Sequence, residues 1–167
     1  MNKNDLIPTL QDICFLHDID AAHLEQIADI AQICKFDADD VVFREGQAAE
    51  SVYLVISGKL SLELSPATAN RKQLVSVGPG EMLGWSSLVE NPRFAATAIV
   101  VEPTRLVRID GVRLRAICDE DSQFGYEFMC RTMRALAKRL TETWRQLSYV
   151  YLSHNVPVTA SNDERDL

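Results

Sequence analysis

Between residues 78 and 99, GPGEMLGWSSLVENPRFAATAI, the chain gathers residue types that could hold an anion. Gly78, Gly80 and Gly84 fall within seven residues, which allows tight turns and a close approach of backbone to a bulky group. Ser86 and Ser87 then open a short helical piece, Ser86 to Glu90, closed by Asn91-Pro92. Serine is a favoured helix opener, and free amides at a helix start attract negative charge. Arg93 carries the one fixed positive charge of the stretch, and Ala95, Ala96 and Thr97 are small enough to let a ligand lie against a strand. The same composition also describes a glycine-rich connection between two strands that binds nothing.

Other chemistry is scarce. Cys14, Cys34, Cys118 and Cys130 show no CxxC pairing, so they read as small buried hydrophobes rather than zinc ligands or disulfides. His17 and His23 sit in a polar helical segment, and His154 begins the tail. None has a carboxylate or nucleophile at the spacing of a catalytic dyad. Protease, kinase, P-loop and hydrolase signatures are absent, and the reading is of a protein that is not an enzyme. No metal is expected, because residues 78 to 110 contain neither histidine nor cysteine.

The whole chain sets further bounds. Its 167 residues suit one domain with a sizeable core, and 47 % apolar content fits a globular protein. The net charge of −7 argues against a nucleic-acid surface, which is normally basic. Arg131, Arg134, Lys138, Arg139 and Arg145 are local exceptions, read as the solvated face of a helix. No run is long and apolar enough to span a membrane, and MNKNDLIPTLQD lacks the apolar segment of a secretion signal. A cytoplasmic location is therefore expected.

The glycine-rich stretch must be positioned by what surrounds it. Residues 1–32 read as N-terminal helices: an opening piece over 5–13, an anchor of Ile13, Phe15 and Leu16, and a second helix, AAHLEQIADIAQI, capped by Asp20. From 33 to 110 short β-prone segments alternate with turns, SVYLVI and KLSLEL being the clearest, with SPATANR as a hairpin loop. They predict an α+β fold built on an eight-stranded antiparallel β roll, jelly-roll-like, interrupted once by the helical turn at residue 86. Residues 111–153 turn helical for good, with no proline from Phe124 to Ser153. Met133, Leu136, Leu140, Thr143, Leu147 and Val150 repeat at spacings of 3 and 4, a coiled-coil seam that predicts a homodimer. Trp144 and Tyr151 form a second stripe, assigned to packing on the roll. The polar tail, 154–167, is expected to be disordered.

This order of elements resembles the cyclic-nucleotide-binding domain of the catabolite activator/FNR regulators and of cyclic-nucleotide-dependent kinase regulatory subunits. The likeness covers about residues 10 to 150. It is carried by Phe15-Leu16 in the leading helix, Phe43-Arg44-Glu45-Gly46-Gln47, Val52-Tyr53-Leu54-Val55-Ile56-Ser57-Gly58, Gly80-Glu81-Met82-Leu83-Gly84, and Pro92-Arg93 with Ala95-Ala96-Thr97. The resemblance implies a ligand site of Gly84, Trp85, Ser86, Ser87, Arg93, Ala95, Ala96 and Thr97, with cAMP, cGMP or another small anion as ligand. In the family a glutamate after the last glycine holds the ribose hydroxyl and an arginine holds the phosphate. Here Trp85 takes the glutamate position. Aligning Ala95-Ala96-Thr97 puts Phe94 at the arginine position; Arg93 serves only if the loop is shorter by one residue. Trp85 either closes the pocket or stacks on a flat ligand. The resemblance also stops short of the family's DNA-reading module.

The expectation is then a dimeric stand-alone regulatory sensor with a divergent cassette, binding cAMP or cGMP weakly or not at all, read by an unidentified protein partner and not binding DNA directly. Its rival is a ligand-free dimerisation or docking scaffold whose pocket Trp85 and Phe94 close.

Overall fold

The computed structural model describes residues 3–64 and 72–154; the SPATANR loop and the segment after His154 lie outside the described residues. Helix α1, Lys3–Gln11, leads through a 3-10 turn at Cys14–Leu16 into α2, Ala21–Asp29. The Asp20 side chain caps α2 by accepting from the His23 amide. Phe15 and Leu16 are buried, as expected of an anchor. Helix α2 is shorter than its apolar pattern suggests. From Ala31 the chain is already strand, because Ala31 to Phe36 pair with Thr104 to Ile109.

Among the described residues six strands form one antiparallel sheet: β1 Ala31–Phe36, β2 Val41–Phe43, β3 Ser51–Leu64, β4 Lys72–Val77, β5 Met82–Leu83 and β6 Thr97–Asp110. The order is β1-β6-β3-β4, with β2 paired to β6 and β5 to β3. Among the described residues the predicted count of eight is corrected to six, and two expected turns are bends within a strand. Gly58, at φ 94°, does not reverse the chain; a Cβ there would lie 2.3 Å from Thr104 Oγ1, so glycine lets β3 and β6 press together at an irregular step. Pro103 falls in the same lapse of pairing, where its missing N–H does no harm.

Strand β3 is buried on both faces, and its alternation divides the core. Val52 and Leu54 face a cluster with Leu10, Leu16, Ile27 and Phe128, joining the helices to the sheet. Tyr53 and Val55 face the inside of the roll with Phe43, Leu60, Leu83, Phe94 and Leu106. That continuous burial accounts for the unbroken apolar run SVYLVI. Helix α3, Gly111–Glu120, is capped by Asp110, and α4 runs from Ser122 to His154, about 50 Å at 1.5 Å per residue. Trp144 does not pack on the roll: it is 61 % exposed, and the α4 residues that meet the roll are Leu136, Arg139, Leu140 and Thr143. The side chain of Tyr151 lies outside the described residues.

Candidate functional site

Gly84 is the hinge of the site. It adopts φ 73°, and a Cβ there would fall 2.5 Å from the Ser51 carbonyl oxygen and 3.3 Å from Phe94 Cε1. Only glycine meets both demands. The chain then winds into a 3-10 turn, Trp85–Leu88, one residue earlier and tighter than the helix expected over 86–90. Ser86 and Ser87 are buried in it, and Trp85 is half-buried.

The segment after Pro92 decides which side chain faces inward. The Phe94 amide donates to the Gln47 carbonyl at 3.0 Å, and the Gly46 amide donates to the Phe94 carbonyl at 2.9 Å. Extended backbone alternates its side chains, so fixing Phe94 inward turns Arg93 outward. Phe94 is buried and stacks on Phe43 with centroids 3.9 Å apart and planes 13° from parallel. Arg93 is exposed, and its guanidinium donates to the Gly46 carbonyl at 2.7 Å.

A cavity of about 270 Å³ lies between the roll and α4. Gly84, Trp85, Ser86, Ala95 and Ala96 line it, together with Phe94. Arg93, Ser87 and Thr97 do not. Ser87 is buried against Gly111, its hydroxyl without a hydrogen-bond partner among the described residues. Thr97 is buried and accepts through Oγ1 from the Glu45 amide at 3.1 Å. From the helix side Leu136, Leu140 and Thr143 complete the wall, and so does Arg139. Arg139 Nη2 donates to the Met82 carbonyl at 2.7 Å. Burial pulls its pKa below the ordinary arginine value, against the pull of Glu81 and Glu142. The sequence offered one signal for this residue: it stands in the i, i+4 register with Ala135 and Thr143 on the helix face that meets the roll.

The expected seam residues divide. Met133 is 69 % exposed and away from the cavity, Leu140 is on the cavity wall yet 50 % exposed, and Leu136 and Thr143 are half-buried on that wall. Leu147 and Val150 lie on α4, but their side chains are outside the described residues. The basic residues of α4 are not simply a solvated face. Arg131 is half-buried, donating to the Phe15 and His17 carbonyls and pairing with Glu127. Cys14 is exposed rather than buried, and burial pushes the half-buried Cys118 thiol up to about 11.

His23 also departs from its reading, for it does have carboxylate partners. Its Nδ1 meets Asp20 and its Nε2 lies 3.1 Å from Asp121, with the ring stacked 4.2 Å from Phe124. Asp20 is three residues away on the next turn; Asp121 is 98 residues away, out of reach of any spacing rule. Burial lowers the imidazole pKa, but bonds to both carboxylates outweigh it and the net shift is upward. The cluster joins α2 to the start of α4 and lies among the helices rather than on the cavity wall.

Known proteins place this geometry. The family model described as the cyclic nucleotide-binding domain matches residues 33–121. The cyclic AMP receptor protein of Thermus thermophilus is 34 % identical over 68 residues, 41 % of this chain and 32 % of that protein. A CRP-like cAMP-activated global transcriptional regulator of Mycobacterium tuberculosis is 28 % identical over 113 residues, 68 % of this chain and 49 % of that one. A solved cyclic nucleotide-binding domain from Methylobacillus flagellatus superposes with a TM-score of 0.75 at 15 % identity, covering 86 % of this chain and 83 % of the other, which shows a shared fold. The chain spans less than half the length of the curated relatives it matches. Among the described residues no helix is long and apolar enough to cross a membrane.

Proposed function

The chain belongs to the cyclic nucleotide-binding domain family, and on that premise we propose that it is the ligand-sensing part of a regulator, acting by binding rather than by catalysis. Its cavity is divergent. A cyclic nucleotide needs an acceptor for the ribose hydroxyl and a cation for the phosphate, and this wall offers Trp85 and Phe94 at those two positions. Arg93 faces the Gly46 carbonyl instead. Loss of one charge-assisted bond typically costs about 1.5 kcal/mol or more, so two such losses weaken cAMP or cGMP binding by about a hundredfold or more.

The observation that carries the sensor reading is the cavity itself. Trp85 and Phe94 stand on its wall without filling it, and about 270 Å³ remains. A scaffold with a closed pocket fits that less well. The lining favours a flat or largely apolar ligand, with Ser86 and Thr143 as hydroxyl partners and Arg139 as the cation for an anionic group. Leu136, Leu140 and Thr143 belong to the helix proposed to pair with a second copy, so occupancy of the cavity bears directly on the position of α4. Signalling then follows as a population shift of that helix.

The test is a melting experiment with and without about 1 mM cAMP or cGMP. A ligand at 100 times its dissociation constant stabilises by about 2.7 kcal/mol, several degrees for a domain of this size at roughly 2 to 4 °C per kilocalorie. The wild type should shift by less than about 1 °C. The double change Trp85→Glu and Phe94→Arg supplies a carboxylate and a guanidinium and should gain a nucleotide-dependent shift. A large wild-type shift would show that the side chains on the present wall bind the nucleotide.

A further inference from the structure

A second cavity, about 330 Å³, lies on the other side of Arg139, between the 3-10 turn at Cys14–Leu16, the Gly80–Met82 segment and α4. Arg131, Arg134, Lys138 and Arg139 line it, over a floor that includes Phe15 and Met82. For a chain of net charge −7 this is a concentration of the wrong sign. Two of the cations are fixed in place by neutral acceptors: Arg131 by the Phe15 and His17 carbonyls, and Arg139 by the Met82 carbonyl. Arg131 is neutralised by Glu127. Arg134 and Lys138 form no ion pair among the described residues. The carboxylate on the groove wall, Glu81, accepts from the Gly78 amide at 2.8 Å and lies near Arg139. Positive charge is therefore left over on Arg134 and Lys138, facing solvent.

We propose that this groove docks an acidic segment of a partner protein. The cations all come from successive turns of one helix, α4. At positions 131, 134 and 138 they are strung along one face of α4, a row roughly 10 Å long, the span of about three residues of extended peptide. Carboxylates along such a segment meet successive cations, and the Phe15–Met82 floor accepts an apolar side chain between them. The row lies roughly a third to a half turn around α4 from Met133, Leu140 and Trp144, so an acidic segment and a second copy of the chain occupy different faces. The groove stands whether or not the cavity on the far side of Arg139 binds a ligand.

The probe is a fluorescein-labelled peptide, Glu-Glu-Leu-Glu-Glu, titrated with the full chain and read by anisotropy at low ionic strength, where exposed charges are least screened. Replacing Arg134→Ala and Lys138→Ala together should weaken binding about tenfold, the loss of two modest charge pairs. Both residues are exposed, so the variant should melt like the wild type. A control, Arg113→Ala with Arg115→Ala on α3, removes the same charge and should leave binding within about twofold. Pyrophosphate should compete only weakly. Equal losses in the two variants would mean a general charge effect, and full displacement by pyrophosphate at the peptide's own concentration would mean a small-anion site. Either result, or no binding by the wild type, overturns the proposal.

Discussion

At the scale of single residues the site turns on Gly84 and the pair Arg93-Phe94. Alanine at position 84 would drive its Cβ to 2.5 Å from the Ser51 carbonyl oxygen while holding φ at 73°. Both strain and clash act, and the carbonyl belongs to a central strand that cannot yield cheaply. Gly84→Ala should cost at least about 2 kcal/mol, seen as a lower urea midpoint with an unchanged slope. A cost below about 0.5 kcal/mol, the range of an ordinary surface substitution, would show that the turn relaxes freely. The glycine was legible in the sequence, since three glycines in seven residues signal close approach. The fate of Arg93 was not. Its direction depends on the hydrogen bonds that the Phe94 amide and carbonyl make to Gln47 and Gly46, and a one-residue alignment question has no local answer. Arg139 was hidden for a different reason. Its charge made it look like surface, and only tertiary packing shows that a backbone carbonyl, Met82, receives it.

At the scale of elements α4 is the part with an unanswered face. Met133, Leu140 and Trp144 stand exposed at positions that recur along one side of the helix. Exposed apolar stripes of this kind mark an interaction surface. We expect two copies to associate through them, and replacing Met133→Glu and Trp144→Glu, neither of which lines the cavity, should convert a sedimenting dimer into a monomer without lowering the melting point of the monomer. A wild type that sediments as a monomer at tens of micromolar sets the expectation aside. Periodicity disclosed the helix and its apolar side almost completely, because α4 has no proline to interrupt it. What periodicity could not assign was the partner of each stripe. Trp144 belongs with the exposed residues, and Leu136 and Thr143 with the cavity. The strands were similarly half legible: their β-prone runs were plain, but two apparent turns proved to be bends, because Gly58 sits against Thr104 on a strand far away in sequence.

At the scale of the whole molecule the His23 cluster links the N-terminal helices to α4, and it makes stability depend on pH. The imidazole pKa is raised in the folded chain. Its contribution is therefore fully present below the ordinary histidine value of about 6.5 and is lost as pH rises through the higher folded value. Asp20 and Asp121 are lowered, chiefly by backbone N–H bonds from His23 and Phe124. Their contribution is present above the usual carboxylate value and is lost as pH falls through the lower folded one. The cluster should be strongest in mildly acid solution. Wild type should lose more melting temperature between about pH 6 and pH 8 than His23→Gln; equal losses would mean that the imidazole is neutral throughout. Strand β6 has a different consequence, one of timing during synthesis. It pairs with β1, β2 and β3, so a nascent chain must expose residue 110 beyond the ribosome before the sheet can be completed. Until then Ile33, Phe43 and the SVYLVI segment have no permanent neighbour on their β6 side, and this is the interval in which a chaperone would have something to hold.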